Sequence, residues 1–82
     1  VSAVLTQLEQ GDNVVGAKQT RRALNDGRAK AVFLARDADP ALTEPLEQLA
    51  GEKNVPVVWT EHMRELGRAC QIAVGAAVAA SV

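Results

Sequence analysis

Aromatic side chains are almost missing from this sequence, which holds one Phe, one Trp and no Tyr among 82 residues. Recognition of single-stranded nucleic acid by base stacking needs exposed aromatic platforms, so that mode is excluded. Cysteine occurs once, at Cys70, which rules out an internal disulfide and suits a reducing compartment. No apolar run approaches the ~20 residues of a membrane span, and no charged-then-apolar leader opens the chain. The expectation is a cytoplasmic protein with no membrane partner. Net charge is also small, at −1, which argues against a nonspecific polyanion binder.

Catalytic signatures are equally sparse. Gly16-Ala17-Lys18-Gln19 lacks the second glycine and the Lys-Ser/Thr pair of a phosphate-binding P-loop, and no G-x-G-x-x-G occurs. His62 is the sole histidine and sits between acidic neighbours, where it reads as a surface residue rather than a catalytic base. Cys70 falls on the apolar stripe of a helix without a sequence-evident histidine partner, so it reads as a buried thiol and not a nucleophile. Asp37 and Asp39 could hold a cation, but no further ligands complete a recognisable metal site, and turn formation with capping explains them more simply. The sequence predicts no catalytic residue, no metal and no cofactor.

Ala, Val and Leu supply most of what is present, in a chain whose apolar fraction is 48%. At this length the reading is one small domain over residues 1–82, with a core of small aliphatic layers. Charge is distributed unevenly along it. Between Val14 and Arg36 the cations Lys18, Arg21, Arg22, Arg28, Lys30 and Arg36 face Asp26 alone. From Asp37 to Glu65 the balance reverses, with Asp37, Asp39, Glu44, Glu47, Glu52, Glu61 and Glu65 against Lys53 and Arg64. A domain polarised in this way can dock one face on nucleic acid while the other keeps it soluble.

Periodicity divides the chain into alternating elements. Val1, Val4, Leu5 and Leu8 predict a first helix over residues 2–10, stopped by Gly11. A short strand over 13–16 leads into a helix from Ala17 to about Asn25 or Asp26. Ala31-Val32-Phe33-Leu34-Ala35 is an uninterrupted apolar run, the mark of a strand covered on both faces. After the polar turn Arg36-Asp37-Ala38-Asp39-Pro40, Asp39 is placed to cap a helix with Pro40 at its first position. Leu42, Leu46, Leu49 and Ala50 form the buried stripe of that helix, which ends near 51–54. A strand follows over 55–59, then a helix for which Thr60 is the expected N-cap and Glu61 a first-turn acid. Gln71 to Gly75 reads as a loop or strand entry, and 76–82 as a final strand of small residues. Such alternation implies helices on both faces of a largely parallel or mixed sheet. In open sheets of this kind functional loops gather beyond the strand ends, which would bring the turns at Gly16, 36–39 and 72–75 together.

The stretch from Val14 to Arg22 carries the clearest chemistry. A strand feeding a helix through a glycine turn aims backbone N–H groups and the positive helix end outward. On the helix wheel Ala17, Thr20 and Leu24 form a narrow inner stripe, whereas Lys18, Arg21, Arg22 and Asn25 cluster opposite with Gln19 at the flank. Lys18 and Arg22 lie one turn apart with no acid between them. Like charges at that spacing cost a few tenths of a kcal/mol in an isolated helix, a penalty that makes sense beside a polyanion. A solvated helix face after an ordinary βα turn is the plainer explanation of the same residues.

Three segments together resemble the kink-turn RNA-binding ribosomal protein superfamily (L-seven-Ae with L-thirty-e), in its short bacterial YbxF-like branch. They are Gly16-Ala17-Lys18-Gln19-Thr20-Arg21-Arg22, Arg36-Asp37-Ala38-Asp39-Pro40, and Leu66-Gly67-Arg68-Ala69-Cys70 followed by Ile72-Ala73-Val74-Gly75-Ala76. The resemblance covers nearly the whole chain. It implies a three-layer α/β/α sandwich on a mixed four-stranded sheet. It also implies binding to duplex RNA bent at a three-nucleotide bulge beside tandem sheared G·A pairs. On that likeness Lys18 meets guanine acceptors, Gln19 bonds at the G·A edges, and Arg22 pairs with phosphate or guanine. Gly16 and Ala17 allow close backbone approach, and Arg36 adds a backbone contact. Ile72, Ala73, Val74 and Gly75 form an apolar wall for a flipped-out base, with Asp39 as a hydrogen-bonding partner. Three departures from the family pattern stand out, one of them Arg22 in place of the motif's lysine, which keeps the charge but changes the geometry. Lys18-Gln19 replaces the archaeal and eukaryotic Asn-Glu, as is common in the bacterial branch, and Ala73 replaces a frequent glutamate.

The function expected from the sequence is therefore recognition and stabilisation of kink-turn RNA by a monomer. The ribosome is a second candidate partner. A ribosomal assembly protein dominated by protein contacts is one alternative, and a nucleotide-binding α/β module using the Gly16 turn is another.

Overall fold

The computed structural model describes residues 11–82, so the helix expected over 2–10 lies outside the described residues. Seven elements follow in the order β1 (Asn13–Val15), α1 (Ala17–Asn25), β2 (Ala31–Ala35), α2 (Pro40–Glu52), β3 (Val57–Thr60), α3 (Met63–Ala69) and β4 (Val78–Ser81). The strands form a mixed four-stranded sheet in the order β1-β4-β2-β3. β2 and β3 are parallel, whereas β4 runs antiparallel to both β1 and β2 between them.

The apolar run of β2 is buried throughout because both faces of the sheet are covered. Alternation along the strand then separates two cores. Val32 and Leu34 join Leu24, Leu46, Ala50, Val78 and Ala80 under α1 and α2. Ala31, Phe33 and Ala35 point the other way and meet Leu66, Ala69, Cys70 and Ala79 under α3. This is the three-layer α/β/α arrangement expected from the sequence. Alanines at 79 and 80 in β4 let helices on both faces approach the sheet closely.

Helix boundaries follow local chemistry. Asp39 caps α2 as expected, its Oδ1 accepting the Ala41 N–H at 2.9 Å, with Pro40 at the first helical position. That helix closes where Asn54 takes a positive φ of 59° and the Val55 N–H reaches back to the Ala50 carbonyl at 2.8 Å. The start of α3 differs from expectation. Thr60 is the last residue of β3, and His62 occupies the N-cap position of α3 without a side-chain capping bond. Pairing holds Thr60 in the strand: its carbonyl accepts the Arg36 N–H at 2.8 Å, and its buried hydroxyl lies 3.5 Å from the Leu34 carbonyl. The strand thus ends one residue later than expected, and the N-cap position of the helix moves two residues on, from Thr60 to His62. The last strand is also shorter than expected, spanning Val78–Ser81 rather than 76–82. Among the described residues no helix is long and apolar enough to cross a membrane.

Candidate nucleic-acid interface

Strand direction assembles one edge of the molecule. The C-terminal ends of β1, β2 and β3 and the N-terminal end of β4 all point the same way, since β4 is antiparallel to its neighbours. Two backbone bonds fix the junctions: Gly16 donates to the Val78 carbonyl at 3.0 Å, and Ala35 donates to the Ala77 carbonyl at 3.0 Å. The Gly16 turn, the 36–39 turn and the 71–77 loop therefore share this edge, as the topology argument from the sequence anticipates.

At Gly16 the backbone takes φ +99° and ψ 157°. That conformation is essentially confined to glycine, although a Cβ there would meet no atom within 4 Å. The requirement is therefore one of backbone strain, and it turns the chain sharply from β1 into α1. The helix begins with the Thr20 N–H donating to the Gly16 carbonyl at 3.0 Å. Thr20, Ala23 and Leu24 are buried, while Lys18, Gln19, Arg21, Arg22 and Asn25 are exposed. Ala17 is partly buried against the core beneath α1 and α2. No acid stands in the first turn of α1, and among the described residues Lys18, Arg21 and Arg22 have no carboxylate within ion-pair distance. The helix thus presents Lys18 beside its own positive end and Arg22 in its last turn, both on an exposed face.

The 71–77 loop is built by the end of α3. Gln71 adopts a left-handed φ of 63°, the position glycine usually takes after a helix. Its N–H donates to the Arg68 carbonyl at 3.0 Å and that of Ile72 to the Gly67 carbonyl at 3.1 Å. Gly67 is buried because the Val74 carbonyl packs onto its Cα, where a side chain would collide with it. The folded-back loop leaves Ile72 at 36% and Val74 at 70% exposure, with Ala73 and Gly75 also exposed. Two branched apolar side chains exposed together at a strand edge are costly in water and suit an apolar or aromatic ligand face. Nothing in residues 71–75 except the resemblance points to that role, because loops carry no periodic signal.

Between these parts lies the turn after β2. Arg36 is exposed, its Nε 3.3 Å from Glu61 Oε1 in an ion pair and its guanidinium 5.3 Å from the centre of the Trp59 ring. The sequence marks Glu61 only as a first-turn helix acid and Trp59 only as a strand residue, and the parallel pairing of β2 with β3 brings them beside Arg36. Asp37 Oδ1 accepts the Met63 N–H at 2.8 Å, and Oδ2 lies 3.5 Å from His62 Nδ1. Asp39 is engaged at Oδ1 in capping α2, which orients its carboxylate at this edge. Cys70 is buried under α3, and burial pushes its thiol above the ordinary cysteine value. A thiol so placed holds little thiolate, contrary to what a nucleophile needs. Among the described residues no three His, Cys, Asp or Glu side chains gather as a metal site.

The arrangement is a basic helix face and an exposed apolar loop on one strand edge. Residues 2–82 match the sequence profile of the Ribosomal protein L7Ae/L30e/S12e/Gadd45 family. The chain belongs to that family. It is 48% identical over 75 residues to an RNA-binding protein of Geobacillus sp. (strain WCH70), covering 92% of each chain. The RNA-binding protein YbxF of Geobacillus stearothermophilus is 48% identical over 73 residues, 89% of each chain. Large ribosomal subunit protein eL8 of Halobacterium salinarum is 41% identical over 68 residues, 82% of this chain and 57% of its own length. Among solved structures, the Giardia lamblia 15.5kD RNA binding protein superposes with a TM-score of 0.89 at 31% identity, over 95% of this chain and 69% of its own. These relatives are named for RNA binding or for the ribosome, and none of those names states an enzymatic activity.

Proposed function

We propose that this protein is a non-enzymatic, cytoplasmic RNA binder that recognises kink-turns and stabilises the bent form by binding it better than the extended one. The observation that carries this reading is where α1 begins: it starts at the strand edge that also holds the exposed Ile72 and Val74, and among the described residues its Lys18 and Arg22 have no carboxylate within ion-pair distance. Lys18 and Gln19 would read base edges in a widened major groove, and Arg22 would engage phosphate or guanine. Gly16 and Ala17 would admit the RNA close to the backbone. Ile72, Ala73, Val74 and Gly75 would receive the flipped-out bulge base, with the free oxygen of Asp39 beside it, and Arg36 would meet the RNA backbone. RNA-binding relatives that span nearly the same length support RNA as the partner class. The ribosomal-protein relative supports ribosomal RNA as one source of such motifs.

The experiment is a gel-shift titration of a kink-turn RNA beside the same RNA with its G·A pairs converted to G·C. Tighter binding of the G·A-containing RNA is expected. Equal affinity for the two would overturn the reading.

A further inference from the structure

Among the described residues, Arg36 at the strand edge is a cation with a carboxylate already in ion-pair range. Its backbone is rigid, since its N–H donates to the Thr60 carbonyl at 2.8 Å and so continues the β2–β3 pairing past the strand end. From that base the side chain lies over Trp59, the sole tryptophan of the sequence, and its Nε forms an ion pair with Glu61 Oε1 at 3.3 Å. Trp59 is partly buried and packs against the core beneath α1 and α2. Lys18, Arg21 and Arg22 have no such neighbour among the described residues. Because β4 lies between β1 and β2, Arg36 stands about 10 Å, two strand spacings, from the Gly16 turn. It is therefore placed to meet a different part of a bound RNA than α1 does.

We infer that Glu61 is an internal competitor for the RNA phosphate at Arg36. In the free protein its carboxylate occupies the guanidinium that Trp59 holds in place, and a phosphate displaces it on binding. A phosphate oxygen and a carboxylate oxygen offer an arginine the same kind of charge-assisted acceptor, so one replaces the other beside the Trp59 ring. The pair is 56% and 73% exposed, which keeps the exchange cheap and lets phosphate reach it. The consequence is a threshold. RNA that delivers a phosphate to this edge gains Arg36, and RNA that does not meets a neutralised side chain. The inference rests on the proposed RNA-binding edge and assigns Glu61 as a positioning and specificity-setting residue within it.

The test is a double-mutant cycle of E61Q and R36A on the full chain, with RNA affinity measured at fixed salt and urea midpoints as the control for folding. E61Q is expected to tighten binding about two- to five-fold, in keeping with the strength of exposed ion pairs. The same change is expected to do nothing once Arg36 is Ala. R36A should accordingly weaken binding more in the E61Q background than in the wild type. An equal gain from E61Q with and without Arg36 would mean general charge repulsion and would overturn the inference, as would no gain at all. The cycle can be read on any RNA that binds. Loss of kink-turn preference therefore overturns the proposed function while leaving the Arg36–Glu61 coupling measurable.

Discussion

Asp37 caps a helix 26 residues away: its Oδ1 accepts the Met63 N–H at 2.8 Å, at the first residue of α3. The Met63 carbonyl in turn accepts the Ala76 N–H at 2.9 Å, and Gly75 packs against Met63 so closely that a Cβ there would sit 3.1 Å from Met63 Cβ. One residue thus ties the 36–39 turn to the 71–77 loop. Asp37→Ala should remove a helix cap and cost about 1 kcal/mol. Asp37→Asn keeps an acceptor oxygen and should recover most of that loss. Urea unfolding measures the stability, and faster amide exchange at Ala76 in the Ala variant would show the loop loosening. Unchanged exchange at Ala76 would separate the cap from the loop.

Gly67 supports the same loop from below. A Cβ added there would strike the Val74 carbonyl oxygen and stand 3.0 Å from Gly75 Cα, both of them backbone atoms. In an exposed helix interior Gly→Ala gains roughly 1 kcal/mol, and here the collision opposes that gain. Overpacking of this kind costs about 1–3 kcal/mol, so Gly67→Ala should be net destabilising or should displace the loop. RNA affinity is expected to fall as Ile72 and Val74 leave their positions. A variant as stable as the wild type with unaltered affinity would contradict this.

Those two relationships explain why some parts of the molecule are legible in the sequence and others are not. The apolar run 31–35, the Asp39-Pro40 start of α2 and the exposed face of α1 follow from signals only a few residues long, and all three appear as expected. The start of α3 does not, because its capping acceptor comes from Asp37 and not from the nearby Thr60, which strand pairing retains. The Arg36–Trp59–Glu61 group is invisible for the same reason: it exists only after β2 and β3 pair. The exposed Ile72 and Val74 are apolar residues in a segment without periodicity, so only the family likeness marks them.

Cys70 offers a check on the core beneath α3. Burial raises its pKa above the ordinary value of 9.0, so above that value the unfolded chain releases a proton that the folded chain retains. The unfolded state then binds fewer protons, and stability must fall as pH rises. The contribution is fully present below the unfolded pKa and is lost as the pH climbs toward the folded one. Cys70→Ala should flatten the alkaline part of the stability–pH curve, measured by urea unfolding above pH 9. An unchanged slope there would place the loss on other groups. At neutral pH the native thiol should also react slowly with alkylating reagents, speeding up only on unfolding.

Lys18 and Arg22 are one helical turn apart on an exposed face, yet the proposed interface gives them different tasks. A side chain that meets phosphate weakens binding to all sequences alike when removed, and it lowers the slope of log K against log[salt] by about 1. Arg22→Ala is expected to show that pattern, and Arg22→Lys should restore the slope while recovering affinity only in part, since a point charge replaces a planar fork. A side chain that reads a base edge behaves otherwise: its loss erodes discrimination, with a good contact supplying about 1–3 kcal/mol. Lys18→Ala should therefore narrow the affinity ratio between G·A-containing RNA and its G·C counterpart. The two variants titrated against both RNAs at several salt concentrations separate the roles. A constant ratio for Lys18→Ala would remove Lys18 as a reader, and an unaltered salt slope for Arg22→Ala would remove Arg22 from the phosphate contact.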